Sequence, residues 1–171
     1  MLRHNFFQIT SGYQLRGFSS PSEMADDANQ KVIFSAIRKT DNVIEKDCVT
    51  YDEADVNEGG GMNIGTGYFT VPVSGIYSFS FGGMTKYEGD RTSVLVMKNG
   101  TSIFTIFDNS ESIKDHPILS MSMLSTTWVM NLTQNDVISL FTYNGELYVS
   151  PNHLVFFNGH LLKRNNENEI K

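Results

Sequence analysis

Residues 67–81, with the sequence GYFTVPVSGIYSFSF, alternate large apolar side chains with small or polar ones. Apolar residues occupy every second position from 69 to 73 and again from 77 to 81. A period of two residues is typical of a β-strand whose two faces meet different surroundings. Pro72 cannot donate a ladder hydrogen bond and is expected at a strand end or edge. Ser74-Gly75 supplies turn chemistry, because glycine can adopt positive φ. The segment therefore predicts a strand, a turn and a second strand.

Similar apolar segments recur along the rest of the chain. They are VIFSAI from 32, TSVLVMKNGTSIFTIF over 92–107, ILSMSML and TWVMNL within 118–132, DVISLFTY from 136 and HLVFFNGHLL from 153. Asn99-Gly100 inside the second of these predicts a hairpin with a two-residue type I′ turn. No segment longer than about ten residues has apolar residues at helical spacing. We therefore predict an all-β fold, a β-sandwich or a barrel.

Length and charge narrow the class of protein. A chain of 171 residues is expected to form one domain of ordinary size. Its net charge of −6 argues against nucleic acid as a partner, because phosphate binding needs a basic surface. No apolar run reaches the roughly 18 residues that a membrane span needs. Cys48 is the single cysteine, so no internal disulfide can form. We expect it to be buried or half-buried, the alternative being a thiol that pairs between chains.

The ends of the chain differ from its middle. Residues 1–30 show no sustained period and are predicted to form a flexible tail or a targeting segment. They contain no apolar stretch typical of a secretory signal peptide, and their basic, serine-containing start weakly resembles a transit peptide. Residues 31–163 are predicted to form the folded domain, and residues 164–171 a polar C-terminal tail.

Several predicted strands are apolar on both faces. Val94 and Val96 point to one face of their strand and Leu95 and Met97 to the other. In the next example, Ile138 and Leu140 lie on the face opposite to that of Val137 and Phe141. A two-layer sandwich buries only one face of each sheet. The second apolar face must be covered either by another copy of the chain or by loops of the same chain. The candidates for an interface between copies are Val94, Val96, Leu95, Met97, Ile138 and Leu140.

No catalytic constellation is visible in the sequence, so we predict that the protein is not an enzyme. It contains neither paired histidines at zinc-binding spacing nor a G-x-S-x-G nucleophile motif. The acidic run 51–60 lacks the spacing of an EF-hand and is expected to be a solvated loop, followed by a flexible glycine loop.

Two loop features could still carry chemistry. Asp108, Glu111 and Asp115 follow a predicted strand, where carboxylates can bind calcium or simply face water. Asn99 belongs to a glycosylation sequon at the hairpin tip.

The opening segment also matches a family signature. A phenylalanine, five residues and then G-x-Y-x-F-x-aromatic are present as Phe69, Gly75, Tyr77, Phe79 and Phe81. Asn57 stands at the expected upstream position, whereas Tyr51 and Met62 depart mildly from the pattern. Further blocks, among them VIFSAIR, VLVMKNG, QNDVISL and FFNGHLL, follow in the family order over 31–163. The chain thus resembles the complement C1q globular-domain family.

The resemblance implies a two-sheet jelly roll, shared with the tumour-necrosis-factor family, that assembles as a homotrimer with the signature aromatics between the sheets. It implies a secreted, extracellular binding protein that recognises glycans or microbial surfaces in innate immunity, or alternatively a cytokine-like or adhesive ligand for a cell-surface receptor. Some family members hold calcium through loop aspartates. Asp108 is similar to one of them, and Asp115 matches less well because the loop before Trp128 is longer. No collagen-like or heptad stalk is present, so the chain resembles a head domain alone.

Overall fold

A computed structural model describes residues 31–40, 42–86, 92–108, 121–150 and 154–165. All of them belong to the compact unit Lys31–Lys171. The described residues form twelve β-strands and no helix. The strands are β1 (Ile33–Arg38), β2 (Asn42–Ile44), β3 (Glu53–Glu58), β4 (Met62–Asn63), β5 (Tyr68–Thr70), β6 (Gly75–Lys86), β7 (Ser93–Lys98), β8 (Thr101–Phe107), β9 (Met121–Leu132), β10 (Val137–Asn144), β11 (Glu146–Val149) and β12 (Val155–Arg164). The predicted all-β fold is therefore confirmed.

The strands form two antiparallel sheets. The first has seven strands, in the order β2-β11-β6-β12-β1-β3, with β9 pairing the other edge of β6. The long β6 accommodates two neighbours on one edge, because β12 pairs with its first eight residues and β11 with its last three. The second sheet has five strands, in the order β4-β5-β10-β7-β8. The two sheets leave β8 and β9 as edge strands that contact each other.

The hairpin between β7 and β8 has the turn that its sequence predicts. Asn99 has φ of 51° and Gly100 has φ of 78°. Two consecutive positive φ angles define a type I′ turn, whose twist matches that of the flanking strands. Pro72 likewise lies beyond the end of β5, where no ladder hydrogen bond requires its missing N–H.

Aromatic side chains fill the space between the sheets. Phe69, Tyr77, Phe79 and Phe81 are all fully buried, as the signature implied. Phe79 lies at the centre of this cluster. Its ring centroid is 5.5–6.4 Å from those of five other aromatic residues, which are Phe34, Phe69, Tyr77, Trp128 and Phe157. These separations suit offset-stacked and edge-to-face ring pairs.

The other two signature residues have local structural roles. The side-chain amide of Asn57 donates to the carbonyl of Met62 at 2.8 Å and accepts from its N–H at 3.2 Å, which closes the loop between β3 and β4. Gly75 was expected to take positive φ in a turn, and this was wrong. It is the first residue of β6, and a Cβ there would collide with the backbone of Lys163 on β12. Close strand approach, rather than turn geometry, requires glycine at this position.

Three further expectations need correction. The acidic run 51–60 is not a loop throughout, because Glu53–Glu58 forms β3 and pairs with β1. Its alternating acidic residues misled the prediction, yet charge is common on an edge strand because it discourages pairing with other chains. The apolar segments within 118–132 form one strand over Met121–Leu132. Arg164 pairs with Gly75 and ends β12, so the strand extends one residue into the predicted tail.

Asp136 joins the two hairpin loops at one end of the five-stranded sheet. Its carboxylate accepts hydrogen bonds from the amide of Asn99 at 2.7 Å and the backbone N–H of Thr133 at 2.8 Å, and it lies 2.9 Å from the ammonium of Lys98. Burial would raise the pKa of Asp136, but the hydrogen bonds from Lys98, Thr133 and Asn99 outweigh it and lower the pKa below its ordinary value. The charged form of Asp136 therefore stabilises the fold.

This clamp predicts a loss of stability in acid. A carboxylate whose folded pKa is depressed contributes its full stabilisation above the unfolded pKa of about 4, and loses it as the pH falls through the folded value. We expect Asp136→Asn to lower the free energy of unfolding by about 1–2 kcal/mol at neutral pH. The difference from wild type should shrink below about pH 4. Urea titrations at several pH values measure it, with Glu58→Gln as an exposed control. A difference that persisted in acid would show that the charge of Asp136 is not responsible.

Candidate functional site

The sandwich interior contains most of the residues predicted to contact another copy of the chain. Val94, Val96, Ile138 and Leu140 are completely buried between the sheets. They cannot contact a second chain, so their assignment to a trimer interface was wrong. Period alone could not distinguish the two faces of β7 and β10, because both are apolar. Leu95 and Met97 point outward and are half-buried, and their interface role stays a prediction.

The outer faces of the two sheets are the exposed apolar surfaces of the molecule. Among the described residues, nine large apolar side chains are exposed, and eight of them project from one of these faces. Isolated exposed apolar residues are ordinary, but two sets on two sheet faces indicate binding surfaces.

The seven-strand face consists of the outward side chains of β1, β12, β6 and β9. Its exposed apolar residues are Ile33, Met123, Val129 and Leu162. The strand register places the first row as Ile33, His160, Ser78 and Val129. The next row contains Ser35, Asn158, Ser80 and Thr127. The outward positions in these two rows bear no Asp, Glu, Lys or Arg. The centre of this face therefore combines apolar side chains with small polar ones.

The five-strand face consists of the outward side chains of β5, β10, β7 and β8. Its exposed apolar residues are Tyr68, Ile103, Phe107 and Tyr143. Outward positions between them carry half-buried Leu95 and Phe141 and hydroxyl side chains such as Ser93 and Ser139. Register shifts in β10 and β8 leave Tyr143 and Ile103 as extra residues at β-bulges. Bulges redirect side chains, and here they coincide with two of the four exposed apolar residues of this face.

Asp108 is the only member of the predicted calcium set that lies within the described residues. Its carboxylate accepts a hydrogen bond from the hydroxyl of Thr85 at 2.7 Å, and its N–H donates to the carbonyl of Thr92 at 3.0 Å. Asp115 and Glu111 lie outside the described residues. Within the part of the chain that the structure describes, no three Asp, Glu, His or Cys side chains come together as a metal site. The calcium site stays a prediction.

Cys48 is half-buried, as expected, and its thiol donates a hydrogen bond to the carbonyl of Thr66 at 3.3 Å. Burial raises the pKa of the thiol to about 11, and the charge of Asp47 adds to this effect. The thiol is therefore protonated at neutral pH and a poor nucleophile. This environment argues against the alternative that Cys48 pairs between chains.

The amide of Asn99 has a structural role besides its sequon. In addition to its bond to Asp136, its side-chain oxygen accepts from the N–H of Val137 at 2.7 Å. The residue is exposed at the hairpin tip, as predicted. Its use as a glycan acceptor stays a prediction.

Comparison with known proteins identifies the family. The sequence profile of the C1q domain matches residues 33–162, about three quarters of the chain. This chain belongs to the C1q domain family. The match ends two residues before β12 does, and it includes all six signature residues from Asn57 to Phe81.

Individual relatives support the assignment. Complement C1q tumor necrosis factor-related protein 3 from Homo sapiens is 26% identical over 86 residues, which cover 47% of this chain and 35% of the relative. The mouse protein gives the same values. The chain thus spans about a third of the length of these curated relatives.

Solved structures agree with the fold. The globular domain of zebrafish complement 1qA superimposes with a TM-score of 0.63 at 25% identity, covering 79% of this chain and all of that one. Eiger TNF from S. frugiperda gives 0.62 at 12% identity, covering 84% of this chain and 99% of that one. The chain is therefore a C1q domain with the jelly-roll fold shared with the tumour-necrosis-factor family. Such domains are generally non-enzymatic binding modules. No helix that could cross a membrane occurs in the described ranges.

The two outer faces are candidate binding surfaces that the sequence only partly indicated. The sequence pattern showed that β7 and β10 are apolar on both sides, but it did not identify the seven-strand face. The signal was present in β9, where Met123, Ser125, Thr127 and Val129 alternate without a charge. Serine and threonine at alternate positions resemble a solvated face, so that pattern alone does not reveal a binding surface.

Proposed function

We propose that this protein is a secreted, non-enzymatic C1q-domain binding protein that acts as a homotrimer and recognises glycans or microbial surfaces. The proposed trimer rests on one observation, the exposed apolar surface of the seven-strand face. Met123 is 69% and Val129 58% exposed on strands that have no charged side chain in the centre of that face. Burying such a surface contributes about 25 cal/mol of stabilising free energy per Å² of apolar area. It also leaves no charge buried without a partner.

A homotrimer with three-fold symmetry would bury two different surfaces of each chain. A closed ring of three uses heterologous contacts, in which one surface of a chain meets a different surface of the next. The seven-strand face is one such surface. The neighbouring edge of β8 and β9 is the other, with Ile103 and Phe107 exposed on β8. Unprotected edge strands are rarely left open to solvent, and a neighbouring protomer would cover this one.

A trimer suits recognition of repetitive surfaces. Three identical sites raise the apparent affinity for a multivalent ligand well above that of one site. Asp108, together with Asp115 further along the chain, is proposed as a calcium-binding pair that supports recognition. The proposed extracellular location follows from the family to which the chain belongs. A cytokine-like or adhesive ligand for a receptor is the alternative that the same trimer could serve.

Binding measurements distinguish these two functions. The full chain is applied to an array of immobilised glycans and microbial polysaccharides, with calcium and with chelator, and each signal is competed with free sugar. We expect soluble sugar to abolish binding. Chelator should weaken binding if the aspartates hold calcium. Binding to cells that persists in excess sugar but is lost after protease treatment of the cells would instead support a receptor ligand.

A further inference from the structure

We propose that the five-strand face around Tyr143 is a binding site for neutral glycans. This inference rests on the proposed recognition function and assigns it to a particular surface and ligand class. The centre of the site is the outward surface of β10 and β7, namely Tyr143, Phe141, Leu95, Ser93 and Ser139, and Tyr68 on β5 lies beside it.

The outward positions of the central strands are uncharged. In the described strands, the outward positions of β10 from 137 to 144, of β7 from 93 to 97 and of β5 bear no Asp, Glu, Lys or Arg. The chain as a whole contains 32 such residues, 13 basic and 19 acidic. Residues 47–49 pair with β10 beside Phe141 and Thr142, which brings the exposed Lys46 and Asp47 to the margin of the site, where one cation and one carboxylate give no net charge. An uncharged ligand is therefore the complementary one.

The site combines aromatic rings with hydroxyl groups. Tyr143 is 63% and Tyr68 46% exposed, and both offer a flat apolar ring with a polar tip. Ser93 and Ser139 add hydroxyls to the same face. Protein interface cores are depleted in serine, whereas pyranose rings present both C–H faces and hydroxyl groups. Tyrosine beside serine and asparagine is also the composition that antibody loops use for adaptable polar contacts.

The strands arrange the side chains of the site in successive rows. The register places Ser93 of β7 opposite Asn144, and the bulged Tyr143 precedes Asn144. Phe141 lies opposite Leu95 in the next row, and Ser139 lies opposite Met97 in the row after that. Side chains four residues apart on one strand are separated by about 13 Å, so Tyr143 and Ser139 mark a platform of that length. Side chains in successive rows along one strand suit an extended ligand such as a linear saccharide better than a compact apolar anchor, which needs a pocket.

The site would stay accessible in the proposed trimer. The contacts assigned above use the seven-strand face and the β8–β9 edge. β10 and β5 lie on the opposite side of β7 from β8, away from that edge. Three copies of the Tyr143 site would therefore remain open on the outside of the assembly.

The test uses the full chain and three variants. Binding of neutral polysaccharides (mannan and an unsubstituted β-glucan) and of heparin as an anionic probe is measured by isothermal titration calorimetry. Tyr143→Ala is expected to weaken binding of a neutral polysaccharide about tenfold or more, as removal of a central aromatic contact does elsewhere. Tyr143→Phe keeps the ring and should retain most of the affinity. Leu154→Ala, an exposed apolar residue outside both faces, should bind like wild type.

Other outcomes overturn the inference in different ways. If wild type binds a neutral polysaccharide and Tyr143→Ala binds it equally well, the site is wrong while glycan recognition stands. If wild type binds heparin alone, the ligand class is wrong. A third outcome is that wild type binds no polysaccharide but binds protease-sensitive sites on cells. If Tyr143→Ala loses that binding, the face binds a protein. The glycan branch of the proposed function then fails as well.

Discussion

Replacing Phe79 with alanine is expected to lower the free energy of unfolding by about 3–5 kcal/mol. Phe79 is 1% exposed, and its ring lies within 6.4 Å of five other aromatic rings, contributed by β1, β5, β6, β9 and β12. Truncation would remove the common neighbour of this cluster and leave a cavity that rigid rings cannot fill. Because whole domains are stable by only about 5–15 kcal/mol, the variant should be close to unfolding.

The measurement is urea denaturation followed by tryptophan fluorescence. Trp128 is the single tryptophan, and its ring centroid lies 5.5 Å from that of Phe79, so its emission reports on this cluster. All variants are compared at one protein concentration, because association makes apparent stability concentration-dependent. Tyr143→Ala, an exposed aromatic truncation, is the control and should change stability by less than about 1 kcal/mol. Equal losses for both variants would contradict the central role of Phe79.

Replacing Val129 with glutamate is expected to convert the proposed trimer to a monomer without unfolding the chain. Val129 lies in the centre of β9 on the seven-strand face, opposite Ser78. In the isolated chain it is more than half exposed, so a carboxylate there would stay hydrated. In the trimer the carboxylate would be buried without a cation, which costs several kcal/mol for each of three interfaces. Thr70→Glu is a matched control, because it adds the same charge at an exposed strand position on the other sheet. A trimeric Val129→Glu protein would show that this face is not the interface.

The fold was predictable because local patterns and the family signature agreed. The alternation around Phe69 and Tyr77, and the Asn99-Gly100 turn, specified strands and a hairpin that the structure contains. The short strands β2, β4 and β11 were missed, because two to four residues are too few for a period to show. The strand β3 was missed because an acidic edge strand and a solvated loop share a composition.

The candidate surfaces were less predictable for a physical reason. In β7 and β10 both faces are apolar, so alternation cannot reveal which set of side chains is buried. Deciding between Val94 and Leu95 requires knowing which sheet lies opposite β7. The structure places Val94 against the aromatic core and Leu95 outside. The seven-strand face was missed for a different reason. Serine and threonine between its apolar residues resemble an ordinary solvent-exposed surface.

The most direct test is the solution mass of the full chain by sedimentation equilibrium, with calcium and with chelator. A chain of 19.2 kDa predicts three times that value for the homotrimer, about 58 kDa. Dissociation of the trimer in chelator would add support for calcium at Asp108 and Asp115. A mass of one chain in both buffers, over micromolar concentrations, would contradict the trimer and leave the seven-strand face without its proposed cover.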